Sequence, residues 1–261
     1  MRHLTCKVVL VVVATVMAVM MAASQTPPAK EPAFEVASIK PSKPGTTGGG
    51  IRPLPGGQTY IASNVSVRLM IKLMYKITDT QIVGAPSWID TERWDVEAKA
   101  THPATLDQLH EMFQNLLADR FKLRFHRESR EMRAYVLSVD KGGSKLKLSQ
   151  AQEPFDIPIK PTGPGKMIGT RVPMSYLCWV LSQFLDTPVV DMTGLEQFYD
   201  FMLEWTPPPP PGTGGPQRGE PSTEGPSIFT ALREDLGLKL ESGKAAAEVF
   251  VIDHVDRPSE N

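Results

Sequence analysis

What most limits how this chain can fold is that its order of apolar blocks and turns occurs twice. Ile61-Ala62-Ser63-Asn64-Val65-Ser66-Val67 aligns with Ile168-Gly169-Thr170-Arg171-Val172-Pro173-Met174 at an offset of 107 residues. Asp79-Thr80-Gln81-Ile82-Val83 keeps that offset against Asp186-Thr187-Pro188-Val189-Val190. Trp94-Asp95-Val96 then matches Tyr199-Asp200-Phe201 at 105. Phe121-Lys122-Leu123-Arg124-Phe125 matches Leu236-Gly237-Leu238-Lys239-Leu240, and Tyr135-Val136-Leu137 matches Phe250-Val251-Ile252, both at 115. No ionisable cluster recurs with the pattern. A scaffold repeated without its chemistry predicts a structural or binding module.

The spacing of apolar residues predicts an α+β chain of two tandem units, about 59–141 and 165–256, each β-α-β-β-α-β-β with two helices on one face of a small mixed sheet. In the first unit Tyr60-Ile61-Ala62 starts as a strand, and Asn64 or Ser66 can cap a helix. Val67, Met70, Ile71, Met74 and Tyr75 fall on one face of that helix. Gln81 to Val83 and Arg93 to Ala98 read as strands. Leu106, Leu109, Met112, Phe113, Leu116 and Leu117 line a second helix, and two strands follow, Phe121 to His126 and Ala134 to Val139. The second unit repeats this, with Pro173 suited to a first helical turn. Its final strands are expected at Leu238 to Leu240 and Glu248 to His254. The stretch 25–58 holds one alternating strand, Phe34 to Ile39, and a loop from Lys40 to Gln58 with four prolines and six glycines. Residues 142–164 read as a linker, 206–225 as a Pro/Gly-rich surface insertion, and 257–261 as a tail.

Residues 1–24 carry the grammar of a secretory signal: basic Arg2 and Lys7, an uncharged run from Val8 to Ala23, and small residues at Ala22-Ala23-Ser24. An uncleaved anchor is the alternative, and no later segment is apolar enough to span a membrane. Without the leader the chain has 26 basic and 29 acidic residues, a net charge of −3. That balance lacks the basic excess expected of a nucleic-acid binder. Cys178 is then the sole cysteine, so no intramolecular disulfide can form and stability must come from apolar burial.

Two resemblances add to this. The unit order, with "Ala-Asp-Arg-Phe-Lys-Leu" at 118–123 and "Glu-Asp-Leu-Gly-Leu-Lys-Leu" at 234–240, resembles the short N-terminal module of secretins and TonB-dependent receptors. Over most of the chain, Phe34-Glu35-Val36-Ala37-Ser38-Ile39-Lys40-Pro41, Trp88-Ile89, Arg93 to Lys99, Asp191-Met192-Thr193-Gly194-Leu195, Leu236 to Glu241 and Ile252 to Asn261 resemble an uncharacterised secreted family expanded in soil acidobacteria. The resemblance implies export and carries over no catalytic residue.

The chemistry-bearing residues point away from catalysis. His110-Glu111-Met112-Phe113-Gln114 begins like a two-histidine zinc helix, but Gln114 stands where the second ligand belongs, and His110 is expected to be an exposed helix residue. His102, His126 and His254 fall on separate elements, whereas zinc needs three or four convergent ligands. Cys178 shares an apolar face with Leu177 and Leu181 and reads as an inert small hydrophobe. No nucleophile elbow or phosphate loop is present. No catalytic residue, metal or cofactor is expected.

The strongest candidate partner surface is basic: Lys122, Arg124, His126, Arg127, Arg130 and Arg133. Alternation would put Lys122, Arg124 and His126 on one outward face, although Glu128 and Glu131 offset the charge and the same residues suit a solvated edge guarded by charge. Trp88 and Trp94 suit either a contact surface or a core. Two function classes follow: an exported non-enzymatic module binding another exported or envelope protein, or a binder of a small ligand or polysaccharide in the cleft between units. A secreted hydrolase is the distant third.

Overall fold

The computed structural model describes residues 32–152, 157–207 and 225–258. The expected leader and the interior of the 206–225 insertion lie outside them. The insertion's described ends meet, since the Thr206 N–H donates to the Pro226 carbonyl at 2.9 Å. The fold is mixed α+β.

The first half runs β1 (Val36–Pro41), β2 (Gly50–Pro53), β3 (Thr59–Val65), α1 (Val67–Tyr75), a 3-10 turn (Asp79–Gln81), β4 (Ile82–Val83), α2 (Trp88–Thr91), β5 (Trp94–Lys99), α3 (Leu106–Arg120) and β6 (Arg124–Val139). The second runs β7 (Lys147–Leu148), β8 (Ile159–Gly163), β9 (Lys166–Val172), α4 (Met174–Leu185), β10 (Val189–Asp191), β11 (Tyr199–Glu204), α5 (Ile228–Leu236) and β12 (Leu238–His254). Helix starts follow the capping residues. Ser66 accepts from the Leu69 N–H, Thr105 forms a reciprocal box with Gln108, and Ser227 accepts from the Thr230 N–H. Ser66 is thus the cap of α1, and Asn64 instead takes a left-handed conformation in a bulge of β3.

Two outer sheets have orders β1-β5-β3-β2 and β7-β11-β9-β8, both wholly antiparallel. The sequence reading left β2 inside a Gly/Pro-rich loop and β7 and β8 inside a linker. They form as hairpin or edge strands against apolar partners. The third sheet, β10-β6-β12-β4, draws on both halves. Its axis is one long antiparallel ribbon, β6 with β12, running from Leu238↔Val139 to His254↔Arg124. The four short terminal strands expected from the sequence are therefore two long ones. Their charged middles read as loops but are paired across the halves.

The ribbon exchanges strand ends between cores. The first core contains Met70, Ile71, Phe113 and Leu117 together with Phe250 and Ile252 from the far end of β12. The second contains Leu177, Leu181, Leu203 and Leu232 together with Leu137 from the far end of β6. The short strands cross likewise: β4 pairs in parallel with β12 at Phe250, and β10 with β6 at Tyr135. The single mixed sheet is shared, in place of one mixed sheet per unit, because each half's last strand is long enough to serve both cores.

Candidate interaction surface

The six basic residues do not form one face. Lys122 precedes β6 and has a left-handed backbone, so strand alternation does not reach it; its nearest acid is Asp119 at 3.8 Å. Within β6, alternation separates Arg124, His126 and Arg130 from Arg127 and Arg133. His126 donates toward two carboxylates, Asp253 at 2.8 Å and Glu128 at 3.2 Å. Those bonds, Glu128's first, raise its pKa above the ordinary histidine value. Glu128 is also held by Arg130 at 2.6 Å, which lowers its pKa. Arg127 lies over the Phe250 ring, 4.9 Å from its centroid, and pairs with Glu248 at 3.4 Å. Arg124 and Arg133 are exposed with no ion pair among the described residues. The strand is largely charge-compensated.

The other singled-out side chains are dispersed. His110 is buried, with 7% exposure, contrary to the expectation of an exposed residue. Its spacing from Leu106, Phe113 and Leu117 puts it on the buried face of α3, which is the signal that could have placed it. Its Nε2 lies 3.0 Å from the Tyr60 hydroxyl, and its Nδ1 is buried without a partner. Burial first, then the Lys76 charge, lowers its pKa to about 4. His254 lies 3.0 Å from Asp256, and His102 is exposed. Cys178 is buried in the second core, where burial pushes its thiol up to about 12. Trp94 is core, and Trp88 is half-buried beneath the Arg257 guanidinium. Among the described residues no group of three or more His, Cys, Asp or Glu could hold a metal ion, and no helix is long and apolar enough to cross a membrane.

A concavity of about 300 Å³ lies where the halves meet, lined by Lys76, Gln81, Cys178, Trp179, Asp191 and Glu248. Its walls mix charge and apolar surface.

The second outer sheet carries the most distinctive surface. In both outer sheets a bulged residue with left-handed backbone, Asn64 in β3 and Arg171 in β9, gives its N–H to an aspartate of the neighbouring strand. Asp95 and Asp200 accept at 2.8 Å each. The equivalence makes the two outward faces directly comparable. On the first, Ile61 stands opposite Glu97. On the second, Ile168 stands opposite Met202, and these are 40% and 67% exposed. Four residues before Met202, just ahead of the start of β11, Phe198, matching Arg93 of the first half, lies under Arg171 at 4.1 Å. A second concavity, of about 380 Å³, includes Ile168, Met202, Lys145 and Lys147. Sequence reasoning missed this face; the mismatch of Glu97 with Met202 inside otherwise matched strands was the available signal.

No curated protein and no solved structure matches the chain. A family model described as a protein of unknown function, DUF3738, matches residues 68–255, from the start of α1 through the end of the shared sheet. The chain belongs to that family.

Proposed function

We propose that this chain is an exported, non-enzymatic binding module that contacts another exported or envelope protein through the outward face of its second outer sheet. The observation that carries this is the directly paired, exposed Ile168 and Met202 on one sheet, where the equivalent sheet pairs Ile61 with Glu97. Exposed apolar patches of this kind mark interaction sites when they are contiguous. Confinement of the patch to one copy separates a function from the requirements of the scaffold. The basic strand supports the reading less, because its charges are internally paired. Export rests on the 1–24 segment and on the resemblance to a secreted acidobacterial family; intact mass of the exported protein should begin at Gln25, and a mass retaining Met1 overturns cleavage.

The contact face is tested with Met202→Glu, which installs the residue of the first half. Wild-type and variant chains immobilised side by side should differ by loss of one captured envelope protein from the variant, with unchanged melting. Identical capture by both overturns the assignment of the face. A small ligand between the halves is the alternative reading, favoured by the concavity beside Trp179, whose indole N–H is buried without an acceptor. A saturable change in Trp179 fluorescence with a small molecule, unaffected by Met202→Glu, would decide for it.

A further inference from the structure

The two outer sheets differ at one edge. In the first, β1 covers β5 completely, from Pro41↔Trp94 to Val36↔Lys99. In the second, β7 covers the equivalent β11 only at Tyr199 and Asp200. The two edge strands occupy the same seat in the same register. Leu148↔Tyr199 stands where Pro41↔Trp94 stands, and the next backbone bond recurs at 2.9 Å in both, Ser42 N–H to Arg93 carbonyl and Ser149 N–H to Phe198 carbonyl. β7 is therefore β1 cut short. The cause is where its chain comes from. β7 follows β6, and the connection is tied to the end of α5: the Asp140 N–H bonds the Gly237 carbonyl and the Lys145 N–H bonds the Leu236 carbonyl, each at 2.9 Å. A chain held there cannot continue along β11.

Among the described residues, Phe201–Glu204 of β11 are left as an edge. Trp205 donates its N–H to Gly165, toward β9. In an antiparallel strand successive residues turn their backbone groups to opposite sides, so Met202 and Glu204 turn theirs outward. The Phe198 carbonyl, which accepts from Ser149 on that side, agrees in parity. The edge has Met202 at its centre and no lysine or proline, the usual guards of an open edge. The 380 Å³ concavity lies against it, between Met202 and the diverging Lys145 and Leu236.

We propose that this edge binds an extended segment of a partner protein by antiparallel strand addition, in the direction and register that β1 takes on β5. The proposal rests on the reading of this sheet as the contact face and names how the contact is made. The equivalent seat defines the occupant. Opposite Leu203 it needs a small inward residue, as β1 has Ala37 opposite Ala98. Opposite Met202, where β1 has Ser38 against Glu97, it needs an outward apolar residue to cover Met202 and Ile168. Main-chain bonds then supply affinity and the alternating side chains specificity.

The test titrates the full chain into two labelled synthetic peptides, one with the sequence of residues 34–39, which stops short of the seat that β7 already fills, and one carrying Ser38→Leu. The Ser38→Leu peptide should bind saturably and more tightly than the parent. Amides of Met202 and Glu204 should exchange fast in the free chain and be protected in the complex. Glu204→Pro removes an outward N–H, a change that sheet edges tolerate, and should weaken binding by about five- to tenfold, in line with one lost hydrogen bond. If that variant misfolds, the amide protection decides. No saturable binding of either peptide, or binding without protection at 202 and 204, overturns strand addition. Concentration-dependent dimerisation abolished by Glu204→Pro also overturns it, assigning the edge to a second copy. Loss of envelope-protein capture in Met202→Glu but not in Glu204→Pro would sink strand addition alone and leave the contact face standing. Unchanged capture in both would remove both.

Discussion

His110 shows what burial does to a single residue. Its neutral imidazole is bonded to Tyr60, and its protonated form is opposed by burial and by Lys76. In the unfolded chain it protonates at its ordinary value of 6.5, and in the fold at about 4. Because the folded pKa is the lower one, the unfolded state takes up the proton first. Stability is therefore full above about pH 6.5 and falls as the pH drops toward 4, by on the order of 3 kcal/mol. Urea midpoints at pH 7 and 4.5 should show this fall, and His110→Phe should flatten it; equal slopes in both chains would exclude His110 as the cause. Asp95 and Asp200 act at the same scale. Burial tends to raise the Asp95 pKa, but the Asn64 N–H and Ser42 hydroxyl outweigh it and hold it below the ordinary value. Since each carboxylate satisfies the N–H of a bulged left-handed residue, Asp95→Ala and Asp200→Ala should each cost about 1–2 kcal/mol in chemical denaturation. Stabilities within error of wild type would show that water replaces them without loss.

At the scale of elements, matched strands are filled by compensating sizes. Ala62 faces Val96 in the first outer sheet, and Gly169 faces Phe201 in the second. A Cβ built on Gly169 would stand 2.5 Å from the Phe201 ring, so the glycine makes room for the aromatic. Gly169→Ala should destabilise by about 1–3 kcal/mol, and adding Phe201→Val should recover part of that loss. A double-mutant cycle with no coupling between the two would refute size compensation. The four longer helices were legible because their apolar spacing is local, whereas the single turn α2 at Trp88–Thr91 was not read. β6 and β12 were legible only at their apolar ends, since their middles, 127–133 and 241–247, gain strand structure from pairing across the ribbon.

At the scale of the whole molecule, the exchanged strand ends make the halves interdependent. Phe250 lies in the first core, stacked with Phe125 at 4.7 Å. Phe250→Ala, a change in the second half, should therefore destabilise the first core by about 3–5 kcal/mol. Residues 32–141 alone would lack Phe250, Ile252 and the whole partner of β6, and 142–258 alone would lack Leu137. Each fragment should show poor amide dispersion by NMR, and an equimolar mixture should regain the native spectrum. A well-folded fragment in isolation would contradict this.

The sequence by itself determined the α+β class, the apolar faces of the helices that begin at Val67 and Leu106, and the burial of Cys178, because apolar spacing acts between residues a few positions apart. It also showed that the matched strings could occupy matched seats. Only the tertiary structure decided that the last strand of each half completes the core of the other, and that β7 stops two residues into its seat. Each depends on a partner more than a hundred residues away, or on the direction from which a connection arrives. No local pattern encodes that geometry.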